Sequence, residues 1–540
     1  MIIRSRSLKM NSLISINSEN VRPWTIVLLF AAGFCMQLGW ILVPAASLPH
    51  RPFEEDTFFH LTACRNLAEG KGLTIDGRPT SGAQFGTLIF TLAYLALPGA
   101  EDALHLRLAR AISFLGSVYS TFAVAFLAWA FFRRHTNSAI TLAGLSAALW
   151  FSSFQVFRIN MNGYETVFAT GTLLFSVGLF CLRWDAKPKA GLPLDILMGI
   201  SLGLCVLARI DLGLWAMVAA FSYLIFRNAQ FLSKLLTIGI WAFLAFAISL
   251  PLWIHNFAVG GSFMPISGKA SAFQMTFHGY PESVFQCLIR ILTALGEIPL
   301  LSFYGPYSWG DQWQGFVVAG VGLTLLLGSL YVVSRQDHGL APSSKASLAA
   351  ISLFCLLVIC YYTFAHGSWW FTKRYLHPLR GIFFAFSGYY LIVLSKAVYP
   401  LLNVRLRAWG VAPFVAAILA ISVAQYVLTY GDTRSNTFVP TAKWVNENLP
   451  NSSRKAAFQS GTLGYFCANV TNLDGKNNPE ALRAILRGDL MGYIRDQDFD
   501  YVIDWPSQVA KYVPMQSFLE LYQPFHGVGP GMVYKKINSR

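Results

Sequence analysis

HRPFEEDTFFHLTACRNLAEGKGL, residues 50–73, follows directly on the first strongly apolar segment of the chain and sets Glu54, Glu55 and Asp56 side by side. From about Asp56 to Glu69 the spacing predicts an amphipathic helix: Phe59, Ala63 and Leu67 share a face, Phe58 and Leu61 flank it, and Gly70 and Gly72 stop it. Such a face lies on a bilayer or a helix bundle. Asp56 then stands at the helix N-terminus, where free N–H groups favour its charge. A cap needs only one acid, and adjacent carboxylates repel. A pair held at a membrane surface suits removing a proton from a hydroxyl, or holding a cation. The plainer alternative makes Asp56 a cap and Glu54 and Glu55 solvated residues.

The chain around this loop reads as membrane. Of 540 residues, 55% are hydrophobic and 12% charged, against about 25% charged in soluble domains. The net charge of +15 is not a nucleic-acid footprint, because Arg133–Arg134, Arg183/Lys187/Lys189, Arg227/Lys234, Arg335/Lys345 and Lys396/Arg405/Arg407 fall in short loops between apolar runs. That is the positive-inside pattern, and it places the N-terminus in the cytoplasm. No small-residue cleavage site ends the first span, which is therefore expected to stay as an anchor. The eight Cys show no disulfide or metal spacing.

Crossings are expected at 24–46, 111–132, 139–156, 166–183, 194–209, 211–226, 235–256, 314–334, 347–365, 378–399 and 409–430, with 194–226 as one kinked element in the alternative. This is an all-α polytopic bundle of roughly 11 spans (11–13). FGTLIFTLAYLALP, residues 85–98, falls short of the ~20 residues a crossing needs and reads as re-entrant or interfacial. Segments 47–110, 257–312 and the tail from 431 then lie outside. The first holds six Lys/Arg and seven Asp/Glu, unlike the basic inner loops. Residues 1–430 form the membrane module and 431–540 a compact outer α/β domain. In that domain 441–450, 479–497 and 513–522 have helical spacing, while 455–466, 500–505 and 531–537 read as strands.

Residues 54–90, EEDTFFHLTACRNLAEGKGLTIDGRPTSGAQFGTLIF, resemble the first outer loop of the GT-C superfamily of membrane glycosyltransferases. Glu55–Asp56 occupy its acid pair, Arg65-Asn66-Leu67-Ala68 its helix and Pro79-Thr80-Ser81-Gly82 its turn. Further elements resemble those of bacterial arabinofuranosyltransferases, aminoarabinose-to-lipid A transferases and protein O-mannosyltransferases. They are Asn162-Gly163-Tyr164-Glu165-Thr166, Ala208-Arg209-Ile210-Asp211, Gly261 to Lys269, Lys373-Arg374-Tyr375-Leu376-His377-Pro378, Gly461 to Tyr465 and Leu473-Asp474-Gly475. The acid pair is Glu-Asp where many relatives carry Asp-Asp, and Ile210 stands where proline is usual.

The resemblance implies an inverting transferase of a bacterial inner membrane. It would move a sugar from a polyprenyl-phosphate donor to a glycolipid, cell-wall glycan or protein acceptor on the outer face. Asp56 is the expected general base, with Glu55 orienting the acceptor or sharing that role. Arg374, Lys269 and Arg158 are the expected phosphate partners, Arg as a bidentate donor and Lys as a point charge. Glu165, Arg209 and Asp211 are expected as a supporting charge network, and Tyr375, His377 and Trp370 as substrate-binding. Each has a structural alternative: Glu165 a helix cap, Arg209–Asp211 a turn pair, Arg158 a snorkelling side chain, and Trp370 part of an interfacial belt with Trp309, Trp313 and Trp369. His255, His366 and His377 share no ligand spacing, so a divalent cation is compatible with the acids but unsupported by the histidines. Two other readings stay open, a lipid-linked glycan transporter and a non-catalytic scaffold. Transporters place ionisable groups near the midplane, whereas the acids here gather in an outer loop.

Overall fold

A computed structural model describes residues 21–186, 191–277, 342–366, 372–398 and 409–537. The chain enters the membrane through α1 (Pro23–Ile41), with proline in its first turn, where no intrahelical N–H is needed. The acidic loop follows, and its helix α2 runs Glu55–Ala68. A small hairpin, β1 (Thr74–Ile75) and β2 (Arg78–Pro79), comes next. Then α3 (Asp102–Phe132), α4 (Ala139–Ser152), α5 (Phe154–Asn160), α6 (Thr166–Asp185), α7 (Gly191–Ala208), α8 (Gly213–Phe226) and α9 (Phe231–Gly260) build the bundle. Beyond α10 (Ile266–Phe277), the described bundle helices are α11 (Pro342–Cys360), α12 (His377–Val398) and α13 (Ala412–Thr429).

Among the described residues, eight helices are long and apolar enough to cross a membrane, and α4 with α5, bent by 71°, makes a ninth candidate. The expected crossing at 314–334 lies outside the described residues. Residues 194–226 are not one element: α7 ends at Ala208, and the apolar stretch Ile210–Phe226 starts anew after an extended Arg209. Residues 85–96 form a 3-10 turn and a short helix that bury Phe90 and Tyr94 while Leu92 and Leu95 stay exposed.

α3 is the central strut. Its 31 residues rise about 46 Å at ~1.5 Å each, more than a hydrocarbon core of ~30 Å, so one end projects beside the acidic loop. It packs closely on α6, where a Cβ at Gly171 would fall 2.4 Å from the Tyr119 ring. Near the projecting end Arg110 is fully buried and donates to the carbonyls of Trp40, Ser47, Leu48 and His50. Those bonds fix the chain between α1 and α2. At the opposite end Arg133 and Arg134 pair with Asp185, and Arg227 donates to the carbonyl of Ala186.

The C-terminal domain has a five-stranded sheet in the order β4-β3-β5-β7-β6, formed by β3 (Lys455–Ala457), β4 (Val470–Asn472), β5 (Tyr501–Asp504), β6 (Tyr522–Val528) and β7 (Gly531–Lys536). The first three are parallel, and β7 and β6 are antiparallel. Side chains alternate across it: Ala456 and Val502 enter one core, Ala457 and Ile503 the other. Helices α14 (Phe438–Asn448), α15 (Gly461–Phe466), α16 (Pro479–Leu486), α17 (Leu490–Gln497), α18 (Pro506–Tyr512) and α19 (Met515–Leu521) cover the two faces. The expected strand 455–466 is a correction: it stops at Ala457, and Gly461–Phe466 is helical.

Candidate active site

Glu54, not Asp56, caps α2. Its backbone N–H donates to Thr57 Oγ1 (3.0 Å), whose hydroxyl donates to the Asn162 carbonyl (2.8 Å). Gly163 has φ +78°, and a Cβ there would meet Thr57 at 2.5 Å, so the 162–165 turn seats the start of α2 and brings Tyr164 and Glu165 beside it. The Arg65 guanidinium donates to the Tyr465 carbonyl and lies over its ring, while Asn66 donates to Thr74. The Arg-Asn stretch of α2 therefore docks the loop rather than the chemistry.

Asp56 sits in the first turn, half-buried, and its Oδ2 accepts from Arg374 Nη1 at 3.3 Å. Arg374 lies 4.3 Å from the Tyr164 ring centroid and 5.2 Å from that of Tyr375, contacts that hold a planar cation on aromatic faces. Tyr375 stacks on Tyr362, centroids 4.7 Å apart. The Tyr362 hydroxyl donates to Asp211 (2.6 Å), and Arg209 grips both Asp211 oxygens at 3.1 and 2.7 Å, with Glu165 3.9 Å from its Nε. Asp56, Glu165, Arg209, Asp211, Arg374 and Tyr375 thus line one cleft of about 910 Å³.

A further cation, Lys476, lines the same cleft from the C-terminal domain. A Cβ at Gly82 would fall 2.1 Å from the Lys476 carbonyl, so glycine in the Thr-Ser-Gly turn admits that segment. Burial pushes the Asp56 carboxyl up, but Lys476 and Arg374 outweigh it and hold Asp56 below the usual carboxylate range. Burial pushes Lys476 down, yet Asp56 and Asp474 raise it overall, keeping it charged. His60, also on the cleft wall, is pushed down by burial. Sequence reasoning missed Lys476, Tyr362 and His60. The only signal for Lys476 was its place one residue after Leu473-Asp474-Gly475.

Four expected residues lie elsewhere. Glu55 turns to the C-terminal domain, where its carboxylate accepts from the Thr462 N–H (3.1 Å) and hydroxyl. Lys269 reaches back toward the Gly260 carbonyl (3.5 Å), because α10 turns Ser267, Gly268 and Ser271 to the cleft instead. Arg158 lies 3.9 Å from Glu54. His377 is buried between Asn160, at 2.8 Å, and the Trp150 ring. Trp370 lies outside the described residues. Among those described, no group of three His, Cys, Asp or Glu converges as metal ligands.

Glu55 carries a testable consequence. Burial pushes its carboxyl up to about 8, against hydrogen bonds from Thr462 that pull it down. An acid raised on docking is most stabilising while protonated, so the contact weakens as pH rises from about 4.5 to about 8. Asp76 and Asp504, raised by burial to about 6 and about 7, act in the same direction. Thermal unfolding at about pH 5 and about pH 9 should therefore show lower stability at the higher value. Glu55→Gln should shrink the difference, and Glu55→Ala should cost about 1–3 kcal/mol at both. An undiminished difference in Glu55→Gln refutes the assignment.

Beside the cleft runs an apolar groove of about 1370 Å³ between α7 and α9, lined by Val206, Ala245, Phe246, Trp253, Phe257 and Phe263 among others. The two are lined by neighbouring stretches of chain: Phe263 lines the groove and Met264 the cleft, and Val206 of the groove lies three residues before Arg209 of the cleft.

Comparison with known proteins places this architecture. Residues 424–534 match a domain of unknown function, DUF8728, and no curated protein matches the chain. The crystal structure of ArnT from Cupriavidus metallidurans bound to undecaprenyl phosphate superposes with a TM-score of 0.58 at 11% identity, over 95% of this chain and 98% of that one. AglB, the archaeal oligosaccharyltransferase from Archaeoglobus fulgidus, in complex with an inhibitory peptide and a dolichol-phosphate, gives 0.58 at 13% identity, over 96% and 74%. Both are GT-C proteins. The chain is a membrane protein with the GT-C fold.

Proposed function

We propose that this protein is an inverting glycosyltransferase that moves a sugar from a polyprenyl phosphate to a hydroxyl acceptor. The observation that carries the reading is the Asp56–Arg374 pair at 3.3 Å, set in a polar cleft that opens beside an apolar groove. A lipid tail in the groove puts its phosphate, and the anomeric carbon attached to it, at the groove's polar end. The basic end of the bundle, with Arg133, Arg134 and Arg227, is the cytoplasmic one by the positive-inside rule. The cleft then faces outward, onto the periplasm of a bacterial inner membrane, where a lipid-linked donor replaces nucleotide sugars.

In the reaction the acceptor oxygen attacks the anomeric carbon from the face opposite the phosphate. The carbon–oxygen bond to phosphate breaks with its electron pair leaving on the phosphate, the acceptor proton passes to Asp56, and configuration inverts. Asp56 is a weak base, since two cations hold it ionised, so its proton transfer accompanies bond breaking rather than preceding it. Proton uptake also dissolves the ion pair with Arg374. The guanidinium then turns to the leaving phosphate just as that group gains its second charge. Arg209, Asp211, Glu165 and Tyr362 lock the aromatic wall that orients Arg374.

Vesicles holding the purified protein and radiolabelled polyprenyl-phosphate pentoses and hexoses should release polyprenyl monophosphate in step with sugar transfer. Absence of release with every donor, alongside intact folding, rejects the reading. Ala258, exposed in the groove, offers a sharper test. Ala258→Trp should raise KM about 10-fold for a long-chain donor and leave a short-chain analogue unaffected, since overfilling costs about 1–3 kcal/mol. Equal effects on both donors refute the tail's placement.

A further inference from the structure

On the far side of Asp56 the C-terminal domain closes a second cleft, of about 1220 Å³, which shares Asp56, Phe59 and Lys476 with the first. Its remaining wall is rich in amides and aromatic rings: Gln274 from α10, and Gln459, Trp505, Gln508 and Tyr512 from the domain. We infer that this cleft is the acceptor site and that it takes an uncharged saccharide. This deepens the transferase reading and rests on it for the acceptor role, though not for saccharide binding.

Several features of the wall support that chemistry. Asp504 is fully buried and ties the two turns that carry the wall, accepting from the N–H groups of Phe458 (2.9 Å), Gln459 (2.7 Å) and Trp505 (2.7 Å). It is a positioning residue. The Tyr512 ring stacks on Phe458 at 4.7 Å, and its hydroxyl accepts from Gln274, joining α10 to the domain. The Trp505 indole N–H is buried and meets no acceptor among the described residues, so a small shift of the ring toward the cleft it lines would let a ligand hydroxyl satisfy it.

The charges decide between ligand classes. Glu54, Glu55, Asp56 and Asp474 line the cleft against Lys476 and Lys511, with no arginine among the described lining residues. Burial raises Glu55 to about 8 and pushes Asp474 up as well, so the acids only offset the two lysines. A phosphorylated or otherwise polyanionic acceptor would find neither surplus positive charge nor a bidentate cation. Side-chain amides offer both donor and acceptor, which matches hydroxyls that are both, and an aromatic ring packs on the apolar face of a sugar. A hydroxyl held here lies within reach of Asp56, which with Phe59 and Lys476 belongs to both clefts.

The test uses the full chain in lipid nanodiscs free of alkyl-glycoside detergent, read by saturation-transfer NMR. The probes are methyl glycosides and homo-trisaccharides of glucose, mannose, galactose and N-acetylglucosamine, with a serine-containing octapeptide and glucose 1-phosphate beside them. At least one neutral saccharide should bind wild type. Gln459→Ala and Gln508→Ala should each weaken it about 3- to 10-fold, as loss of one hydrogen bond does. Trp505→Phe should do the same while keeping the stack on Phe438, and the exposed Lys443→Ala should match wild type. Saccharide binding without turnover on any lipid-linked donor leaves the site standing and removes the transferase reading. Binding only by the peptide or the sugar phosphate, no binding at all, or affinity unchanged in all three wall variants overturns the inference.

Discussion

Asp56→Asn is expected to lower turnover by about 10²- to 10⁴-fold, the range for removal of a general base, while donor affinity changes by less than about 3-fold. The substitution preserves size and an oxygen facing Arg374, but the amide accepts no proton. The neighbouring Glu55→Gln should stay near wild type at neutral pH, because burial raises the Glu55 carboxyl to about 8 and it bonds Thr462 at the edge of the second cleft rather than Arg374, so an uncharged amide replaces an uncharged acid. The two changes together form an internal control, since a merely electrostatic role for the acid loop would make them similar. The pH profile adds a sign. Lys476 and Arg374 hold Asp56 below the usual carboxylate range despite burial, so the base is fully ionised at neutral pH. The acid limb of kcat/KM should fall only as pH drops through that lowered value. Initial rates of polyprenyl phosphate release and equilibrium donor binding check both parts. Turnover within about 10-fold of wild type in Asp56→Asn would remove it as base. Lipid movement that persists in Asp56→Ala without any sugar transfer would favour a transporter.

The adjacency of Glu55 and Asp56 shows what a sequence states and what it leaves out. That two acids stand where a span gives way to an amphipathic helix is local information, and it located the cleft. On a helix, however, neighbours point about 100° apart, so one acid meets the cleft and the other the C-terminal domain. Nothing local says which. The same rotation takes Lys269 off the cleft while Ser267 and Ser271 line it. Arg374 was legible because Arg-Tyr-x-x-Pro is a compact pattern, and Arg209 with Asp211 because charge in an apolar run stands out. Lys476 and Tyr362 reach the site through contacts between segments far apart in the chain, which periodicity does not encode. Residues 461–466 read as strand from composition but fold as helix. Their leading N–H group at Thr462 finds an acceptor in Glu55, supplied by a different element. In each case long-range partners decided what local preference left open.

Arg374 should be the most sensitive cation, and its loss should depend on Asp56. Arg374→Lys keeps a positive charge but forfeits the planar fork and its seat between the Tyr164 and Tyr375 rings. A reduction of about 10²- to 10³-fold in kcat is expected, as for deletion of one preorganised donor to a developing anion. KM for the donor should rise far less, because the guanidinium is shared with Asp56 in the ground state and is released to the phosphate only as the proton transfers. Lys476 leaves a positive charge in the cleft but offers a point charge rather than a planar fork, and cannot replace it. The coupling is the decisive measurement. If Asp56 and Arg374 act in one concerted event, Asp56→Asn/Arg374→Lys should be little slower than the worse single variant, since the first change already abolishes the release of Arg374. If the two effects multiply instead, Arg374 binds the phosphate independently of the base. The exchange of its partner from carboxylate to phosphate would then be no part of the reaction.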